Sequence, residues 1–82
     1  MTMTDKQKNF LVSLLVDVAG WSKNTLTLPD GITKKQASEA ISLLVEARDL
    51  IDTRFGTNEA LVRYPALYHK AEEVIGLSNP KN

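Results

Sequence analysis

Apolar residues recur at helical intervals in three stretches of the chain and alternate with polar ones in shorter stretches between them. In the first, Phe10, Leu11, Leu14, Leu15 and Val18 form a stripe, with Val12 and Val16 widening it. Lys6, Asn9, Ser13 and Asp17 lie on the opposite side. This spacing predicts an amphipathic helix. Thr4 and Gln7 stand three apart just before the stripe, the spacing of a capping box. Gly20 suits the residue just past the helix end, with Trp21 folding back towards Val16.

A second helix is predicted from Thr33, again with a glutamine three residues on, at Gln36. Ala37, Ala40, Ile41 and Leu44 mark its inner side, with Leu43 and Val45 beside it. A third follows Pro65, which suits a first helical turn. Its apolar side is Leu67, Tyr68, Ala71, Val74 and Ile75, and Gly76 ends it.

The intervening segments read as β. Thr25-Leu26-Thr27-Leu28 alternates and is ended by Pro29-Asp30-Gly31, which predicts a short strand and a tight turn. Leu50-Ile51-Asp52-Thr53-Arg54-Phe55 and Ala60-Leu61-Val62-Arg63-Tyr64 flank turn residues Gly56-Thr57-Asn58-Glu59 and predict a hairpin. The competing reading is a helix through residues 58–63, because Glu59, Ala60 and Leu61 are helix formers. The expected fold is therefore α+β, mostly helical, in the order α-β-α-β-β-α, and the alternative is an all-α helical bundle. One domain is expected over residues 1–82, with residues 78–82 a polar tail that frays.

The two capped helices share a pattern. Thr4-Asp5-Lys6-Gln7 matches Thr33-Lys34-Lys35-Gln36, and Ser13-Leu14-Leu15-Val16-Asp17 matches Ser42-Leu43-Leu44-Val45-Glu46, at one offset of 29 residues. Convergence on one helix recipe and an old duplication both account for it. Two copies are too few for a solenoid.

Composition narrows the chemistry. The 82 residues include no cysteine, one histidine, and ten basic and ten acidic side chains. The missing thiols exclude thiolate catalysis, Cys-ligated zinc and a disulfide framework. Zero net charge argues against a generic polyanion binder but leaves room for a local basic patch. The apolar run behind Lys6 and Lys8 is broken by Asp17 and lacks a small-residue cleavage site, so it reads as a buried helix and not as a signal peptide. No run approaches the ~18 apolar residues of a membrane span. These features lead us to expect an intracellular, cytoplasmic protein.

His69 has Glu72 and Glu73 near it but no second histidine, so three zinc ligands cannot be assembled. No G-x-S-x-G elbow and no phosphate-cradling glycine loop occurs. The acidic pairs Asp49/Asp52 and Glu72/Glu73 read as solvated surface. The expectation is a non-catalytic protein without cofactor or metal.

Two classes of partner fit what remains. One is DNA. The second helix offers Lys34, Lys35, Gln36 and Ser38 at its start, and the predicted hairpin carries Arg54, Asn58 and Arg63. Lys34, Lys35, Arg54 and Arg63 would meet phosphates, while Gln36, Ser38 and Asn58 would reach base edges. A helix followed by a basic hairpin, with Leu43-Leu44-Val45-Glu46-Ala47-Arg48-Asp49-Leu50-Ile51 between them, resembles the recognition-helix-to-wing passage of winged-helix DNA-binding domains. That resemblance covers residues 33–64. It departs from the family before that, where residues 21–32 read as strand and turn in place of a helix.

A second likeness covers residues 4–47. Thr4-x-x-Gln7 before one helix and Ile32-Thr33-Lys34-Lys35-x-Ala37-Ser38-x-x-Ile41 before the next are similar to a short domain of phage and actinobacterial proteins, with Ile32 in place of the usual leucine. The family has no settled activity. The likeness implies a phage or mobile-element setting beside nucleic-acid-processing functions, and a DNA-binding regulator is the first expectation. The other class of partner is a host or phage protein, with the chain an adaptor or inhibitor of a replication or transcription enzyme. Trp21, Phe55, Tyr64 and Tyr68 are candidate contact aromatics, of which Trp21 and Phe55 read as core.

Overall fold

Three threonines start three helices. A computed structural model, which describes residues 2–77, places Thr4, Thr33 and Thr57 in extended backbone just before α1 (Asp5–Asp17), α2 (Lys34–Arg54) and α3 (Asn58–Val74). Each threonine hydroxyl accepts a hydrogen bond from the amide three residues on, which satisfies one of the donors a helix start leaves open. At Thr4 and Thr33 the capping box closes, as the spacing predicts. Gln7 Oε1 accepts from the Thr4 amide at 3.0 Å, and Gln36 Oε1 from the Thr33 amide at 2.9 Å.

The glutamines also tie the helices together. Gln7 Nε2 donates to the Lys34 carbonyl, and Gln36 Nε2 donates to the Val74 carbonyl, each at 3.3 Å. Thr2 bridges to Thr33 in antiparallel fashion, and the Met3 amide donates to the Ile32 carbonyl at 2.9 Å. The starts of α1 and α2 are therefore side by side. The offset of 29 also carries into the core: Leu11, Leu15, Val18 and Trp21 are buried, and so are their counterparts Ala40, Leu44, Ala47 and Leu50.

The α+β expectation is overturned. The described residues hold three helices and no strand; the Thr2–Thr33 bridge is isolated. The fold is the all-α bundle, not a reduced winged helix. Residues 25–28 do alternate, with Leu26 and Leu28 packed against the core and Thr25 and Thr27 exposed, but no second strand lies beside them. The predicted hairpin is two helix ends. Leu50 falls three residues after Ala47, continues the buried stripe of α2 and carries the helix to Arg54. Ala60 is buried near the start of α3, so helical periodicity outweighs the β propensity of Ile51, Thr53 and Val62. Pro65 is not in a first turn but in the eighth position of α3, where its nitrogen has no hydrogen to give the Leu61 carbonyl. The polar tail at residues 78–82 lies outside the described residues.

One core joins the elements. Leu11, Leu14 and Leu15 of α1 meet an α2 face built on Ala37, Ala40, Leu44 and Ala47, and Ala71 and Ile75 close it from the end of α3. Small residues on α2 and α3 let the backbones approach closely, so the large side chains come mainly from α1. Gly20, at φ 78°, ends α1, and the Trp21 amide returns to the Leu15 carbonyl at 3.1 Å. That brings Trp21 into the core.

Candidate interaction surface

Residues 18–33 cross from the end of α1 to the start of α2, and α3 fastens them. The Tyr64 hydroxyl donates to the Val18 carbonyl. Trp21 Nε1 donates to Glu72 Oε2 at 2.5 Å, and His69 Nδ1 lies 3.1 Å from Glu72 Oε1. Glu72 is 3% exposed and is the one buried charged side chain among the described residues. The expectation that Glu72 is solvated is thus wrong, while Glu73 beside it is exposed. A carboxylate is tolerated there because both its oxygens have partners. The site is a structural clasp: the carboxylate is engaged by the indole on one oxygen and by the histidine on the other.

Burial pushes the Tyr64 phenol above its ordinary range, and the neighbouring Tyr68, 5.2 Å away between ring centroids, adds to the rise. The folded state therefore holds this proton more tightly than the unfolded chain, where tyrosine ionises near ~10. The stabilisation is fully present below that pH and is lost as pH rises through the higher folded value. Denaturation profiles between pH 8 and 12 should fall more steeply for the wild type than for Tyr64→Phe. Parallel profiles would show that this phenol does not couple to folding.

The residues expected to form one nucleic-acid surface are divided between the two ends of α2. Lys34, Lys35 and Ser38 are exposed at its start. Gln36 is consumed, its oxygen in the cap and its nitrogen on Val74. Arg54 is the last residue of α2, about 30 Å along the helix from Lys34. Arg54 and Arg63 both face Glu59, at 3.4 Å and 3.1 Å, and Arg63 also reaches Glu46 at 3.7 Å. Asn58 is exposed at the start of α3. Both arginines are thus on helices within an acidic cluster, and the basic hairpin that was to join them to the lysines is a helical turn.

The most exposed large apolar side chains lie at that turn. Phe55 is 83% exposed, Leu61 68% and Val62 72%. Phe55 therefore departs from the core position expected of it, whereas Trp21 keeps its own. The end of α1, at Asp17 and Val18, lies with Arg48, Ile51, Asp52 and Tyr64 around a shallow depression. α1 thus reaches the last turn of α2, and Phe55 stands in the turn just after it. Sequence reading placed Leu61 and Val62 in a strand and so missed this surface. The legible signal was that neither residue shares the face of Ala60, Tyr64, Leu67 and Ala71 once a helix is assumed. A larger groove runs along the outer side of α1, between Lys8, Val12, Val16 and Lys23, and none of the residues expected to touch DNA lines it.

None of the described helices is long and apolar enough to cross a membrane, and no cluster of three potential metal ligands occurs among the described residues. No protein-family model, curated protein sequence or solved structure matches the chain, so its architecture and surface carry the functional reading.

Proposed function

We propose that the protein is a small non-catalytic adaptor that binds another protein through the projecting end of the α2–α3 hairpin. The observation that carries this reading is the exposure of Phe55, Leu61 and Val62 around the α2–α3 turn. Leaving a large apolar side chain in water forgoes roughly 1.5–3 kcal/mol of burial each. Three of them stand within eight residues of one turn, and exposed apolar surface concentrated in this way favours an interaction site. The flanking ion pairs of Glu46, Glu59, Arg54 and Arg63 supply a polar rim. The likeness of residues 4–47 to phage and actinobacterial domains fits such a module, and the absence of cysteine fits a cytoplasmic setting.

The DNA reading loses the layout that motivated it, because its cations sit at opposite ends of a helix and half of them face carboxylates. Capture experiments with wild type and a Phe55→Ser/Val62→Ser variant test the adaptor reading, with circular dichroism to show that both fold. The wild type should retain a protein that the variant loses. Equal retention would overturn the reading. A DNA mobility shift at ~50 mM salt that disappears with Lys34→Glu/Lys35→Glu, and not with the tip variant, would replace it with DNA recognition.

A further inference from the structure

We propose that the depression between the end of α1 and the α2–α3 hairpin seats an aliphatic side chain from a linear segment of the partner, with a lysine or arginine of that segment meeting Asp17 and Asp52. This rests on the hairpin end being an interaction surface. It names the side of that end the partner uses and the chemistry it presents there.

Two hollows flank the hairpin end and share no residue. In one, Glu46, Asp49, Arg54, Glu59 and Arg63 stand around Leu50. Its two arginines are both committed to carboxylates of the same hollow. The other has an apolar floor. Val18 is buried there, and Ile51 and Tyr64 are half-buried. The Tyr64 hydroxyl is spent on the Val18 carbonyl, so the ring is what it offers a ligand. Asp17, Arg48 and Asp52 form the rim, all exposed and none in an ion pair among the described residues.

Helical spacing decides which exposed apolar side chains border this floor. Leu61 stands one turn before Tyr64 on α3 and eleven residues, or about three turns, before Glu72. It therefore shares the side of α3 from which Glu72 reaches Trp21. Phe55 follows Ile51 by four residues, just past the end of α2. Val62 stands eleven residues before the exposed Glu73 and two before Tyr64, so it faces away. Phe55 and Leu61 thus extend the apolar floor towards the tip, and Val62 does not.

Size and charge define the occupant. The depression holds about 110 Å³. An apolar cavity of roughly 150 Å³ takes up benzene, so this space suits a leucine, isoleucine or valine and is tight for an aromatic ring. Its rim carries two carboxylates to one guanidinium, an excess of one negative charge. A cation beside the aliphatic anchor satisfies that excess and, being on an exposed rim, sets specificity more than affinity.

Panning a random linear peptide library on the wild-type chain tests this. The enriched peptides should carry leucine, isoleucine or valine next to lysine or arginine. Their affinity should fall at least about tenfold on Leu61→Ser, which removes one wall of the anchor pocket. It should fall by roughly three- to tenfold on Asp17→Lys/Asp52→Lys, which sets like charges against the peptide, with the loss shrinking as salt rises. It should change by less than about twofold on Val62→Ser. All three variants alter exposed positions, and circular dichroism checks that each folds. Peptides that depend on Val62 and not on Leu61, that ignore the two aspartates, or that enrich an aromatic in place of the aliphatic anchor overturn the inference. So does a library that yields no Leu61-dependent binder. A protein captured by the wild type and lost by Phe55→Ser/Val62→Ser would still uphold the adaptor reading in each of those cases.

Discussion

Leu44→Ala should remove from about a sixth to all of the protein's stability, seen as a drop in the urea midpoint with the slope unchanged. Leu44 is fully buried in the middle of α2, among Leu11, Leu15 and Ala40 in the one core cluster. Its α2 neighbours on that face are alanines at positions 37, 40 and 47, which cannot reach into the space a lost leucine leaves. Truncating a buried leucine costs about 2–5 kcal/mol, including the cavity. A chain of 82 residues has a total margin of roughly 4–12 kcal/mol. Leu61→Ala, on the same hairpin but exposed, should move stability by less than about 0.5 kcal/mol. If the two variants shift the midpoint equally, the assignment of inner and outer faces is wrong.

The second large effect concerns the clasp. Glu72→Ala takes the carboxylate from a buried indole donor and should cost about 1–3 kcal/mol. Glu72→Gln, which keeps an acceptor oxygen of the same reach, should cost clearly less. Trp21→Phe alone leaves the buried carboxylate with His69 as its remaining bonded partner and should also destabilise. The pair Trp21→Phe/Glu72→Leu removes both halves of the bond, so its cost should fall well below the sum of the single changes. Urea unfolding supplies all four numbers, and wild-type tryptophan emission reports this site alone because Trp21 is the chain's one tryptophan. Additive costs would mean that the indole and the carboxylate do not depend on each other.

These two sites differ in how far they could be read in advance. Leu44 stands in the i, i+3, i+4 stripe of a helix whose start was signalled by Thr33 and Gln36. Glu72 gave no such signal. Beside Glu73 on a helix it has the pattern of a solvated pair, and only the return of Trp21 after Gly20, 51 residues earlier, makes one of the two carboxylates an interior group. Phe55 was misplaced for the opposite reason. An aromatic in an apolar run reads as core, whereas Phe55 stands in the turn after α2 and is exposed.

What the chain itself determined is local. The two capping boxes, the glycine that ends α1 and the buried stripes of α1 and α2 each rest on residues within about two turns of one another, and short-range hydrogen bonds and side-chain spacing suffice to specify them. Between residues 50 and 64 local preference is divided, since Ile51, Thr53, Phe55 and Val62 favour strand while Leu50 and Ala60 fit a helical stripe. There the tertiary structure decided. Two helices packed against each other bury both Leu50 and Ala60. The same packing separated the lysines at the start of α2 from the arginines near its end. It also left Phe55, Leu61 and Val62 exposed at the α2–α3 turn.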